Sequence, residues 1–208
     1  METNYQGHQN PGDSAGQFGA QAFLVKQMLS RLQTMTLVKV IACTNAGGLS
    51  AVGFVDVEPM VNQIDGEGNG KPHKILYNLP YSRIQGGANA IILDPKPGDI
   101  GIAGFASRSI AKVKKTRKKS NPDTFSQFSM SDGMYLGGVL NGLPTNYIQF
   151  TDGGNIVIHS SGNISLSAPT ITTSGAWEHT GTLKNNGVNI SSTHVHSDPQ
   201  GGTVGVPQ

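Results

Sequence analysis

The sequence predicts an all-β fold: an N-terminal barrel of the oligonucleotide/oligosaccharide-binding type, an intertwined three-chain β-helix shaped as a triangular prism, and a small metal-binding apex, with a short N-terminal helix ahead of them. Three observations predict it. The chain has 28 Gly in 208 residues and only 13 % charged residues, so it is rich in turns and lacks both a helical composition and the high net charge of a solvated disordered chain. Short alternating apolar runs recur between Gly, Asn, Asp and Pro through its first half. In its second half a pair of apolar residues returns every eight positions, and the pair His194 and His196 follows.

Residues 1–36 read as a polar arm and a helix. The stretch "METNYQGHQNPGDSAGQF" is polar and bears Gly and Pro, which makes a loose arm. In "AQAFLVKQMLSRLQTM" the residues Phe23, Leu24, Met28, Leu29, Leu32 and Met35 are spaced by three and four, as on an amphipathic helix. Packing on its own domain or on a neighbouring copy is favoured over a membrane-surface helix, because only Lys26 and Arg31 are basic.

Residues 37–120 read as the barrel. Its strands are expected in "LVKVIAC", "AVGFVDV", "HKILYNL", "NAIILDP" and "IGIAGFA". The single Cys43 can form no intrachain disulfide and reads as a small buried hydrophobe. "DGEGNGKPHKIL" begins like a calcium loop, but its twelfth position is Leu76 where Glu is needed, so a hairpin tip is expected. The run "AKVKKTRKKSNPD" places six basic residues within 112–119, with no acid between Asp99 and Asp123. An exposed charged loop is expected there. A nucleic-acid platform is the weaker reading, since the barrel offers few aromatics for base stacking, chiefly Phe54, Tyr77, Tyr81 and Phe105.

Residues 121–146 read as a linker and 147–192 as the shaft. From Thr151 onward, 30 of 58 residues are Ser, Thr, Asn or Gly, and only Asp152, Glu178, Lys184 and Asp198 are charged. Ile148 and Phe150, Ile156 and Ile158, and Ile164 and Leu166 set the eight-residue period, in which each strand and turn adds one rung. Two apolar residues per rung have nothing to bury against within one chain, so partner chains must supply the other walls.

Residues 193–208 form the expected apex. If three chains wind together, symmetry gathers three copies of His194 and His196 at the axis, six imidazoles in all. Zinc prefers four ligands, and calcium and magnesium want oxygen, so an all-nitrogen octahedron favours iron, with nickel and cobalt as chemical rivals. No coordination position would remain open, which makes the site structural. Gly201, Gly202, Gly205, Pro199 and Pro207 let the last residues fold back over it.

Other classes lack support in the residues. The net charge of +2 names no partner, no run of about 18 apolar residues or N-terminal signal appears, and a soluble protein is expected. The acids are scattered and show no pairing, so no enzyme is expected.

From about residue 37 to the end, the chain resembles the central spike, or membrane-puncturing tail-tip, proteins of contractile-tailed bacteriophages, the baseplate assembly protein V-like spikes. The resemblance rests on "KPGDIGIAGFASRSI" (96–110), "SMSDGMYLGG" (129–138) and, most specifically, "THVHSDPQGGTVGVPQ" (193–208). It implies a homotrimer at the centre of the baseplate, held by hub and tail-tube proteins, that pierces the host outer membrane when the tail contracts. It also implies one iron per trimer on His194 and His196, with no small-molecule substrate. The location implied is the virion tail tip, then the host outer membrane and periplasm during infection. The N-terminal helix and the 112–119 run fall outside the family pattern. A receptor-binding trimeric tail fibre shares the shaft but would end in a broad adhesive head.

Overall fold

The computed structural model describes residues 16–30, 32–65, 67–192, 194–197 and 200–204. The expected arm up to residue 15, and Thr193, Asp198, Pro199 and residues 205–208 of the expected apex, lie outside the described residues. The fold is mostly β, with two α-helices among the described residues. Two compact units divide the chain, Met1–Pro144 and Thr145–Gln208.

In the first unit, helix α1 (Gln17–Leu29) begins three residues before the expected run and stops short of it at Ser30. Met35, expected on that helix, instead opens strand β1 (Met35–Cys43). Strand β2 (Phe54–Pro59) follows, then a small hairpin of β3 (Gln63–Ile64) and β4 (Gly70–Lys71), then β5 (Leu76–Pro80). The hairpin tip is the calcium-like stretch. Asp65 Oδ1 accepts from the backbone N–H of Asn69 (2.9 Å) and Glu67 (3.0 Å), with the Asn69 bond foremost in holding its carboxyl below the ordinary range.

Strands β6 (Ile84–Gly86) and β7 (Asn89–Ile91) make a second hairpin, and β8 (Ile100–Phe105) and β9 (Gly133–Gly138) complete the unit. Five strands form one sheet in the order β5-β2-β1-β8-β9. Its two ends curl towards each other: Tyr81, just past β5, bridges Tyr135 of β9 in parallel, and the Ser82 N–H donates to the Tyr135 carbonyl (2.8 Å). The result is a curled half-barrel. Two strand assignments differ from expectation. "NAIILDP" pairs with β6 outside the sheet, and the fifth strand comes from "GMYLGG", within the stretch read as linker. Its three glycines in six residues hid a strand whose buried positions are Gly133 and Tyr135.

The core is small and follows the two-residue period. Val38 and Val40 of β1 and Val55 and Val57 of β2 point inward, while Lys39, Asp56 and Glu58 between them do not. Leu79, Tyr81, Ala103 and Tyr135 close it. Cys43, expected to be buried, is half-buried and packs against this cluster from its edge. The turn before β8 shows why "KPGD" stands there. Pro97 presets the first corner, Gly98 takes φ 99°, and the Asp99 N–H closes the turn on the Lys96 carbonyl at 3.0 Å. At Gly101 any Cβ would collide with the Tyr135 ring and the Gly137 carbonyl, so only glycine lets β9 lie so close.

The basic run, expected as a loop, contains a short helix, α2 (Ala111–Thr116), ending at Arg117 with φ 53°. Buried Asp132 anchors its start, accepting from the Ile110 N–H (2.9 Å) and the Ser109 hydroxyl (3.1 Å).

Candidate functional site

The second unit opens with β10 (Tyr147–Phe150) and β11 (Ile156–His159), paired antiparallel with Ile148 opposite Ile158 and Phe150 opposite Ile156. The first two expected rungs therefore stack their apolar residues on one face, and all four are more than half exposed. Gly154, with φ 77°, turns the chain between them. His159 stacks on Tyr147 at 5.2 Å.

The third expected rung behaves differently. Ile164 and Leu166 lie in neither helix nor strand, and from 163 to 182 no backbone group bonds to another backbone group among the described residues. Ile164 (56 % exposed), Leu166 (70 %), Ile171 (56 %) and Trp177 (67 %) face outward along this stretch. Twenty residues thus combine unpaired backbone with exposed apolar side chains, two features a folded chain avoids together.

Pairing resumes at β12 (Lys184–Asn185) and β13 (Val188–Asn189), joined by Asn186 (φ 47°) and Gly187 (φ 83°). Two positive φ angles at Asn-Gly make the tight turn that suits a twisted hairpin. This signal stood in "KNNGVN" and the repeat reading passed over it.

His194 comes next and is half-buried. Asn189 Oδ1 accepts from the Ser191 N–H (3.0 Å) and hydroxyl (2.6 Å), and this turn aims the Ser191 carbonyl at His194. That carbonyl takes the His194 N–H at 3.0 Å and lies 2.6 Å from His194 Nδ1. A carbonyl only accepts, so Nδ1 is a protonated ring nitrogen that donates to it. This is the support that metal-bound histidines use. His196 opens β14 (His196–Ser197), which pairs with β15 (Thr203–Val204), His196 opposite Val204. The chain folds back between them, with Gly201 at φ 89°. His194 precedes the strand instead of sharing it, and the His196 side chain lies outside the described residues. Among the described residues no three His, Cys, Asp or Glu side chains gather into a metal-holding group.

The first unit holds two further clusters. Asp94 Oδ1 accepts from Tyr81 Oη (2.6 Å) and Arg83 Nη2 (2.6 Å), Oδ2 accepts from the Gly47 N–H (2.9 Å), and Arg83 Nη1 donates to the Ser50 carbonyl (2.7 Å). The Tyr81 bond, then the Arg83 bond, hold the Asp94 carboxyl below its ordinary range, while burial pushes the Tyr81 hydroxyl up. This lock ties the 44–53 loop to the sheet. Sequence reading missed it because Asp94 and Arg83 lie in unrelated runs. A cleft of about 380 Å³ also opens between α2 and the sheet, walled by Val52, Phe54, Pro80, Val113 and Met134, with Lys114 and Arg117 on its lining. Of the four aromatics weighed for base stacking, only Tyr77 is exposed.

The chain matches no protein-family model, and no curated protein aligns with it. Among the described residues no helix is long and apolar enough to cross a membrane.

Proposed function

We propose that this protein is a trimeric spike at the tip of a contractile tail, which punctures the host outer membrane when the sheath contracts. One observation carries the proposal: among the described residues, 163–182 find no backbone partner and leave their large apolar side chains exposed. Two further copies would meet both needs at once, supplying ladder partners and a dry interior in a three-chain prism. The sheet order, with Tyr81 just past its first strand bridged in parallel to Tyr135 of its last, supports an oligonucleotide/oligosaccharide-binding type of barrel in the first unit.

The mechanism is mechanical. Hydrogen bonds running between three wound chains resist bending, because no chain can leave without breaking its neighbours' ladders. With only four charged residues from Thr151 onward, the shaft has few ions to desolvate against lipid. At the tip, His194 and His196 of three chains would hold one iron, which supplies six closed bonds where fraying starts. The Ser191 carbonyl sets the His194 ring for that role, and the fold-back of β15 on β14 blunts the loose end.

Gold-labelled antibody against this chain, applied to contractile-tailed particles from cells that encode it, should mark the distal end of the tail. Label on the head, or on no particle, contradicts the assignment. The basic face of α2 favours nucleic-acid binding as a second reading, and that reading requires a shift of single-stranded DNA that weakens steeply with salt.

A further inference from the structure

The cleft between α2 and the sheet is held open by polar bonds. Buried Asp132 fixes the Ile110 N–H where α2 starts, and further along the Lys114 amine reaches the Ser131 carbonyl at 3.4 Å. Propped in this way, α2 buries none of its own residues, and Val52, Phe54, Val113 and Met134 line an apolar space of about 380 Å³. Clefts that bind ligands run from about 300 to 1,000 Å³. Two cations share this lining, Lys114 and Arg117. Arg117 holds φ 53°, a backbone conformation that side-chain-bearing residues rarely adopt, and that turn ends α2 with Arg117 at the cleft.

Neither cation is answered by an acid. Among the described residues the ion pairs join Lys71 to Asp65 and Arg83 to Asp94, so no carboxylate pairs with Lys114 or Arg117. Lys112, Lys115, Lys118 and Lys119 crowd beside them, and like charges so close along a chain repel one another.

We propose that this cleft docks an acidic peptide segment of a partner protein, seating one large apolar side chain on the lining and setting flanking Asp or Glu carboxylates against Lys114 and Arg117. The proposal stands on the first unit alone and does not rest on the three-chain shaft. Charge complementarity fixes the sign of the partner, because unanswered cations around an apolar hollow select an anion that carries an apolar group. The lining decides which anion. It is mostly aliphatic, and its one aromatic, Phe54, is half-buried, so it gives nucleic-acid bases no stacking platform. Six cations in the 112–119 run exceed what a single small carboxylate needs and suit a segment that bears several.

Selection from a pool of short randomised peptides by the full chain tests this. Recovered peptides should carry Leu, Ile, Met or Phe flanked by two or more Asp or Glu. A fluorescent copy of a recovered peptide should bind about tenfold more weakly to Arg117→Gly, which removes the cation while glycine accepts the φ of the turn. Val113→Glu, which sets a carboxylate on the lining, should weaken it at least as much. Lys39→Gln removes the same charge from exposed β1, outside the cleft, and should leave the affinity unchanged. No enrichment, enrichment of acids without an apolar residue, or equal binding by Arg117→Gly and the unaltered chain overturns the proposal. Displacement of the peptide by oligo-thymidylate would assign the cations to nucleic acid and overturn it as well.

Discussion

Asp94 and Arg83 are almost wholly enclosed, at 2 % and 3 % side-chain exposure, and each answers the other's charge. Removing one partner leaves the second charge buried and alone, the costly half of such a pair. Asp94→Ala should therefore lower the unfolding midpoint of the first unit by roughly 10 °C or more, as read by circular dichroism. Replacing both partners by apolar residues should cost less than either single change. Because the Asp94 carboxyl titrates below its ordinary value of 3.8, its contribution is complete at neutral pH and is lost as acid takes it through that lowered range. The midpoint should thus stay level near neutrality and fall at acid pH, and Asp94→Ala should remove part of that fall. At Gly101 an added methyl meets the Tyr135 ring, so Gly101→Ala should cost about 1–3 kcal/mol in urea unfolding. At the tip, His196→Ala should abolish the iron content of the assembled protein while the midpoint of the sheet unit holds, because the two sets of bonds share no residue. Zinc at one per chain, or iron retained by His194→Ala, would speak against the six-imidazole site.

At the scale of elements, trypsin should cut first around Lys118 and Lys119, which are exposed beyond the αL end of α2, and spare the fragment from Tyr147 onward. Rapid loss of that fragment would contradict a laddered shaft. The elements also show what a sequence displays and what it conceals. Val38, Val40, Val55 and Val57 announce their strands through alternation alone, and the hairpin at Asp65 follows from Asn, Gly and Asp at fixed places. Strand β9 did not, because its three glycines carry no apolar signal: Gly133 and Gly138 answer close approach to Leu79, Phe105 and Asn141, and Gly137 takes φ 143°. "NAIILDP" misled in the opposite sense: its isoleucines look like a core strand, while the residue that reaches the interior is Asp94. Long-range polar partners leave no periodic trace. The rungs at 148–150 and 156–158 were legible as apolar pairs one period apart, and the His194 support was not, because Ser191 and Asn189 look like any turn residues.

For the whole molecule, the decisive feature is a second unit in which 163–182 find no backbone partner among the described residues and hold their isoleucines, leucine and tryptophan in solvent. Left exposed, such a stretch would aggregate or be digested, and in the proposed assembly two further copies would cover it. Mass in solution tests this most directly. Light scattering on the purified full chain should give about 65 kDa, three times the 21.8 kDa of one chain, unchanged by dilution or moderate heat. A stable particle of 21.8 kDa, or one of twice that mass, would contradict the three-chain shaft and the function built on it.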